Sequence, residues 1–333
     1  MGNFLRDNED LGYYLERGID WSELVELTEH GYCNPEGHSD LDEALEFYGE
    51  ILEAIGEFAA DEIAPRSAQI DREGVRLENG EVVCGKEFDA LFEQMKELEL
   101  HSMCLPRDLG GLNCPMMLYF ITAEMMGRAD VSVVSHYGFH GGIAAAMLLF
   151  SVTEGSTEYG DNPWTILSTR FAKEIEEIAA GKAWGCMDIT ESDAGSDMAA
   201  LRTVAEQDDG GNWFVTGEKI FITSGHGKYH FVIARSESPA ESSDPMAGLK
   251  GLSMFMVPAY EEDDNGNRKR LATVERVEEK LGHHGSVTAT IRFDRSPAHL
   301  IGNRGEGFKY MLVLMNNARL GVGFESLGMC EAA

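Results

Sequence analysis

The sequence predicts an α+β protein of several domains: a helical N-terminal domain, a central antiparallel β-barrel or sandwich, and the start of a C-terminal helical domain. Three observations carry this. Apolar residues recur at helical spacing up to about residue 180, short β-branched and aromatic runs replace them after Gly181, and helical character returns after Gly302, Gly305 and Gly307. The resulting division is an extension over 1–40, a helical domain over 41–182, a β-domain over 183–296 and a helical segment over 297–333.

The chain of 333 residues with 43% hydrophobic side chains is long enough for more than one core. Its 58 acidic against 27 basic residues give a formal charge of −31, which opposes phosphate backbones and anionic lipid. Nucleic acid is therefore excluded as a partner class, and the acidity reads as a solvated surface. Six cysteines at 33, 84, 104, 114, 186 and 330 lack paired spacing and fit reduced thiols in the cytoplasm. The acidic N-terminus has no signal-peptide pattern. Val131 to Val152 is apolar, but His136, His140, three glycines and three serines interrupt it, so it is read as a buried helical hairpin and not a membrane span.

In chain order, Leu41, Leu45, Tyr48, Leu52, Ile55, Ala59 and Ile63 lie three or four apart and predict an amphipathic helix. Ser39 or Asp40 caps it and Pro65, lacking an amide hydrogen, ends it. Further helices are expected over Phe88 to Glu99, Cys114 to Gly127, Ser132 to Phe150 and Trp164 to Ala180, making the first half all-helical. Strands are expected over Trp184 to Ile189, Leu201 to Ala205, Trp213 to Thr216, Ile220 to Thr223, Phe231 to Ala234, Leu252 to Val257 and Val287 to Phe293. Asp208 to Gly211 forms a hairpin turn. The absence of helices between these strands argues against a parallel nucleotide-binding sheet. Ser236 to Asp244 and Glu261 to Asn267 read as exposed loops, and Lys309 to Glu325 as a helix.

Two segments carry chemistry. Thr190-Glu191-Ser192-Asp193-Ala194-Gly195-Ser196-Asp197 offers hydroxyls and small-residue amides where a chain turns around a ligand, although Ser, Asp and Gly also make ordinary turns. Gly217 to Gly225 forms a strand on which alternation puts Phe221 and Thr223 on one wall, an aromatic plane beside a hydroxyl. The commoner alternative is that Phe221 fills a core and Thr223 caps the strand.

Together these segments resemble the flavin signatures of the acyl-CoA dehydrogenases, a Thr-Glu-x-x-Ala-Gly-Ser-Asp loop followed by a Gly-x-Lys-x-Phe-Ile-Thr strand. Leu105-Pro106 with Gly110-Gly111, Lys280 to Ser286, and Asn316 to Gly323 extend the resemblance over about residues 40 to 330. It is strongest to the subfamily of long-chain members that includes the 3-methylmercaptopropionyl-CoA dehydrogenases. The departures are Ser192-Asp193 where a Pro is common, Phe221 where some members carry Trp, and Met187 where some carry an aromatic residue.

The resemblance implies a helical domain, a β-domain and a C-terminal bundle, with FAD between β-domain and bundle. It implies FAD contacts from Met187, Asp188, Ile189 and Thr190, from Ser196, and from Phe221, Ile222 and Thr223. Ser196 with Asn316, Asn317, Ala318 and Arg319 would line the acyl-CoA path. The implied reaction is α,β-dehydrogenation to a trans-2-enoyl-CoA, with electrons passing to an electron-transfer flavoprotein and the whole protein forming a homo-oligomer. The family's base is a glutamate of the later bundle that no acid here matches by motif, so the catalytic base is unassigned and expected beyond residue 333. On that expectation the chain by itself turns over no substrate. An acyl-CoA oxidase and a non-catalytic flavin- and acyl-CoA-binding subunit of a hetero-oligomer are the alternatives. His136 and His140 read as packed histidines and His283 and His284 as a turn, so no metal is expected. Glycines 302, 305 and 307 lack the strand-turn-helix unit of a dinucleotide fingerprint, so no nicotinamide cofactor is expected.

Overall fold

The computed structural model describes residues 2–162, 164–237, 247–262 and 266–333. The helices are α1 (Glu9–Tyr13), α2 (Trp21–Thr28), α3 (Leu41–Phe58), α4 (Ser67–Glu73), α5 (Lys86–Glu97), α6 (Met116–Ala129), α7 (Val131–Glu154), α8 (Ala172–Ala179) and α9 (Gly307–Ala332). Two hairpins interrupt the first half: β1 (Arg76–Glu78) with β2 (Glu81–Val83), and β3 (Thr157–Tyr159) with β4 (Ile166–Thr169).

The first half is thus not all-helical. Asn79 and Gly80, with φ of 53° and 81°, form the two-residue turn that matches strand twist and so closes the first hairpin. The helix expected over Trp164 to Ala180 divides, because the β-branched run around Ile166–Thr169 pairs as a strand before α8 begins. Pro65 does not end the helical run either. A π turn over Ala59–Ile63 and a 3-10 turn over Ala64–Arg66 place the proline in a first turn, where its missing N–H costs nothing, and α4 follows. Asp40 is the cap of α3: its carboxylate accepts from the Glu43 amide at 3.0 Å, while Ser39 donates to the Glu43 carboxylate.

The β-domain holds β5 (Gly185–Asp188), β6 (Val204–Gln207), β7 (Trp213–Thr223), β8 (Tyr229–Arg235), β9 (Leu252–Pro258), β12 (Ala272–Val277) and β13 (Thr288–Ile301). A separate hairpin joins β10 (Tyr260–Glu262) to β11 (Arg268–Arg270). The two runs expected around Gly217 are one strand, and β12 has no counterpart in the sequence reading. Of the two expected loops, residues 238–246 and 263–265 lie outside the described residues. Hydrogen bonding runs β13-β7-β6-β8-β9 and back to β13, so the strands close into a barrel, with β5 beside β8 and β12 flanking β13. The pairs are antiparallel except β5 and β6 against β8.

Strands β8 and β9 read as continuous apolar runs because both faces are covered. Val232, Ala234, Phe255 and Val257 fill the barrel, while the alternate Phe231, Ile233, Met254 and Met256 pack outward. That outer layer shares one core with Ile143, Met147 and Phe150 of α7, Ile175 of α8, and Tyr310, Met311 and Leu314 of α9. By length and composition α7 could cross a membrane, with mean hydropathy 1.3. Its buried Val133, Ile143, Ala144, Met147 and Phe150 make it a core helix, and it runs unbroken from Val131 to Glu154 where a hairpin was expected. A second helical core joins α3, α5 and α6 and includes Leu11, Trp21 and Val25 from the first 40 residues.

Candidate functional site

A cavity of about 320 Å³ lies where α6, α7 and α9 meet the ends of β5 and β7. Small residues create it: Ala123 on α6, Gly138 and Gly142 on α7, and Ala318 and Gly321 on α9 leave room between helices that would otherwise interdigitate. Leu314, Phe139, Ile143 and Met187 make the walls apolar.

The β7 wall is built by an irregularity. The pairing with β13 shifts between Ile222 and Lys219, and Phe221 takes φ 59°, a left-handed conformation uncommon for a bulky side chain. The ring is turned out of the barrel and is 59% exposed. Phe221, Ile222 and Thr223 all line the cavity, where simple alternation would have placed two of the three. Thr190 and Thr223 line it too, and neither hydroxyl has a hydrogen-bond partner among the described residues.

Behind this wall the two sequence motifs are fastened together. Lys219 is fully buried and donates to Glu191 Oε1 at 2.7 Å and to the Ile189 carbonyl at 2.9 Å. Glu191 also accepts from the backbone amides of Arg202 at 2.7 Å and Thr203 at 3.0 Å. Ile220 donates its amide to the Thr190 carbonyl at 2.8 Å. Burial pushes the Glu191 carboxyl up, but the Lys219 charge and these hydrogen bonds reverse it and the net shift is down. Burial lowers the Lys219 pKa against the pull of Glu191. With three donors converging on one carboxylate, the geometry is that of a charged pair. The glutamate of the first motif and the lysine of the second therefore set the path of the 190–197 loop jointly.

Met187, Ile189, Thr190, Phe221, Ile222, Thr223, Asn317 and Ala318 are brought together on the cavity wall. Asp188, on the opposite face of β5, points its side chain into the barrel, where its Oδ2 meets His230 Nδ1 at 2.7 Å and Cys186 Sγ lies 3.1 Å from the same nitrogen. These three buried groups have ligand-type atoms within 4.8 Å of one another, a cluster no local sequence pattern announced because His230 arrives by strand register. Ser196, Asn316 and Arg319 are exposed and are not on the cavity wall. Arg319 donates to Asn316 Oδ1 at 2.8 Å.

Sequence reasoning also missed Tyr119, Ser135 and Glu325, which complete the wall. Glu325 is 9% exposed, burial pushes its carboxyl up to about 7, and His283 Nε2 lies 3.6 Å from its Oε1. The signal that could have found it is the stripe Leu314, Ala318, Gly321, Glu325, spaced four, three and four along one helix face.

His136 and His140 are packed with His101, His226 and Trp184 at the seam between α7 and the β-domain, with ring centroids 4.2 to 5.2 Å apart for successive histidine neighbours. His136 Nδ1 pairs with Ser224 Oγ at 2.7 Å, and His140 Nδ1 donates to the His136 carbonyl at 3.3 Å. Burial, then mutual repulsion, holds both well below the ordinary histidine range, so they are neutral. His284 is tied in a turn to Asp71 and the Lys280 carbonyl.

The sequence matches the family profile described as acyl-CoA dehydrogenase, N-terminal domain, over residues 48–158, and that described as acyl-CoA dehydrogenase, middle domain, over 186–296. It is 31% identical over 307 residues to 3-methylmercaptopropionyl-CoA dehydrogenase of Ruegeria pomeroyi, covering 87% of this chain and 48% of that protein. To butyryl-CoA dehydrogenase of Syntrophomonas wolfei it is 26% identical over 355 residues, covering 99% of this chain and 52% of the relative. The chain spans about half the length of these curated relatives. The fold resembles the solved butyryl-CoA dehydrogenase of Megasphaera elsdenii, with TM-score 0.66 and 22% identity over 86% of this chain and 66% of that one. With the two family domains matched in succession and a relative 31% identical over 87% of the chain, the chain belongs to the acyl-CoA dehydrogenase family, whose N-terminal and middle domains it carries.

Proposed function

We propose that this chain forms the flavin-facing and acyl-facing walls of an enzyme that converts acyl-CoA thioesters to trans-2-enoyl-CoA with FAD. One observation carries the reading: an apolar cavity bounded on one side by an outward-turned aromatic ring and two unpartnered threonine hydroxyls. A planar, heteroatom-edged ring system fits that set of groups, since the Phe221 face offers stacking and Thr190 and Thr223 offer hydrogen bonds. FAD, when bound, supplies the acceptor for a hydride.

The chain's own residues bind and orient. Phe221 covers the ring, Thr223 and Thr190 hydrogen-bond its edge, and the backbone of Met187 to Thr190 lines its border. Ser196 serves cofactor and thioester, and Asn316 to Arg319 flank the acyl-CoA path from the solvent side. The apolar slot between α6, α7 and α9 excludes water from the acyl group, which strengthens every polar contact at the thioester. In the cell the complete protein works in the cytoplasm as a homo-oligomer and hands its electrons to an electron-transfer flavoprotein.

The test is reconstitution of the purified chain with FAD, followed by visible absorption and flavin fluorescence. Binding with a perturbed spectrum is expected, and Phe221→Ala and Thr223→Val each weaken it about tenfold, the loss of one stacking or hydrogen-bond contact. A folded chain that takes up no flavin, or variants that bind it as wild type does, would refute the assignment.

A further inference from the structure

The cavity wall carries one side chain with a formal charge among its described residues, Glu325. Its place along the slot follows from helix geometry. Leu314 and Glu325 both line the cavity, and eleven residues at the helical rise separate them by about 16 Å. Leu314 packs in the core that contains Met187, at the β-domain end. Glu325 lies at the helical end, where its carbonyl would sit 2.8 Å from a Cβ on Gly127 of α6. Apart from Asn317, small and apolar residues of α9 occupy the stretch between them.

That far end is polar. The Tyr119 hydroxyl lies close to Gly138 and Gly321, Ser135 adds a second hydroxyl, and neither has a hydrogen-bond partner among the described residues. His283 Nε2 lies 3.6 Å from the Glu325 carboxyl, too distant for a hydrogen bond. A slot that is mostly apolar along α9 thus terminates, at the end away from Thr190 and Thr223, in three polar side chains with unfilled hydrogen-bonding capacity.

We propose that Glu325, flanked by Tyr119, determines specificity by recognising acyl groups whose far end carries a hydroxyl or amide, and disfavours plain alkyl tails. The inference rests on the reading that an acyl thioester enters with its carbonyl at the Thr190 and Thr223 wall. Burial supports it further, since a carboxyl raised to about 7 is substantially protonated at neutral pH and can both donate and accept. A methyl end would leave that carboxyl desolvated and unpaired, whereas a hydroxyl end would satisfy it.

The experiment titrates the FAD-reconstituted 333-residue chain with octanoyl-CoA and ω-hydroxyoctanoyl-CoA and reads affinity from heat and from the flavin spectrum. The hydroxylated thioester is expected to bind about 10- to 100-fold more tightly. Glu325→Leu should abolish or invert the preference, while Glu325→Gln, which keeps a donor and an acceptor, should retain it and controls for folding. Equal or tighter binding of octanoyl-CoA by the wild type overturns the inference alone. Flavin uptake without binding of either thioester removes the acyl part of the proposed function and this inference with it. Failure to bind flavin as well removes the whole reading.

Discussion

Lys219→Met removes the ammonium from a fully buried ion pair while keeping the length and apolar stem of the side chain. Glu191 would then lie almost buried with no counter-charge, and breaking a buried pair by deleting one partner costs about 3–5 kcal/mol. Two backbone amides at 2.7 and 3.0 Å would still hold the carboxylate, which places the expected loss near the lower end, about 3 kcal/mol. Urea unfolding followed by tryptophan fluorescence measures it, since Trp184 and Trp213 report on the β-domain. The double variant Lys219→Met with Glu191→Gln removes the stranded charge but keeps an oxygen for the two amides, and should recover about 1–2 kcal/mol. A single variant within about 1 kcal/mol of wild type, or a double variant no more stable than the single, would show that the pair does not hold the two motifs together.

Glu325→Gln should change the pH dependence of stability. The folded carboxyl at about 7 stands above its ordinary 4.5, so the folded state keeps a proton the unfolded state loses. That advantage is fully present below pH 4.5 and is lost as pH rises through 7, which amounts to about 3 kcal/mol. His283 from the preceding loop and Tyr119 from α6 are the titratable groups that face it. Relative to wild type the variant should gain that amount between pH 4.5 and 8 in denaturant titrations, and parallel profiles would refute the assignment. Gly328→Val should destabilise by about 2–3 kcal/mol or more, because a Cβ there would overlap the Glu124 carbonyl oxygen and lie 2.6 Å from the Arg128 amide nitrogen, both backbone atoms. A melting temperature unchanged from wild type would mean that α6 and α9 can separate freely.

What was legible in the sequence followed the reach of each signal. The period of α3 and its Asp40 cap, the switch to strands near residue 184 and the turn at Asp208 are local patterns, and the structure has them. The hairpin at Asn79-Gly80 was equally local and was overlooked inside a helical stretch. Other features are set by pairing and cannot be read from neighbours. Barrel closure depends on β9 reaching β13. The exposed Phe221 ring depends on a register shift. Lys219 was quoted in a motif with no role because its partner lies 28 residues away, across the turn of another strand. Glu325 joined the cavity only when α9 was laid against α6 and α7.

The hairpin that local reading missed bears on how this molecule avoids its neighbours in solution. Within the barrel each strand has hydrogen-bonded partners on both sides, so the flanks are β5, bonded to β8, and β12, bonded to β13 along one side. An unguarded flank is a template on which another chain can add a strand. Here β1 and β2 lie along β12, and Arg270, at the end of β11 just ahead of it, pairs with Glu81 of β2. An element of the helical half thus shields the β12 margin of the barrel. Variants that loosen it, well away from any ligand, would be felt first as a tendency to self-associate into strand-linked aggregates, before any loss of binding.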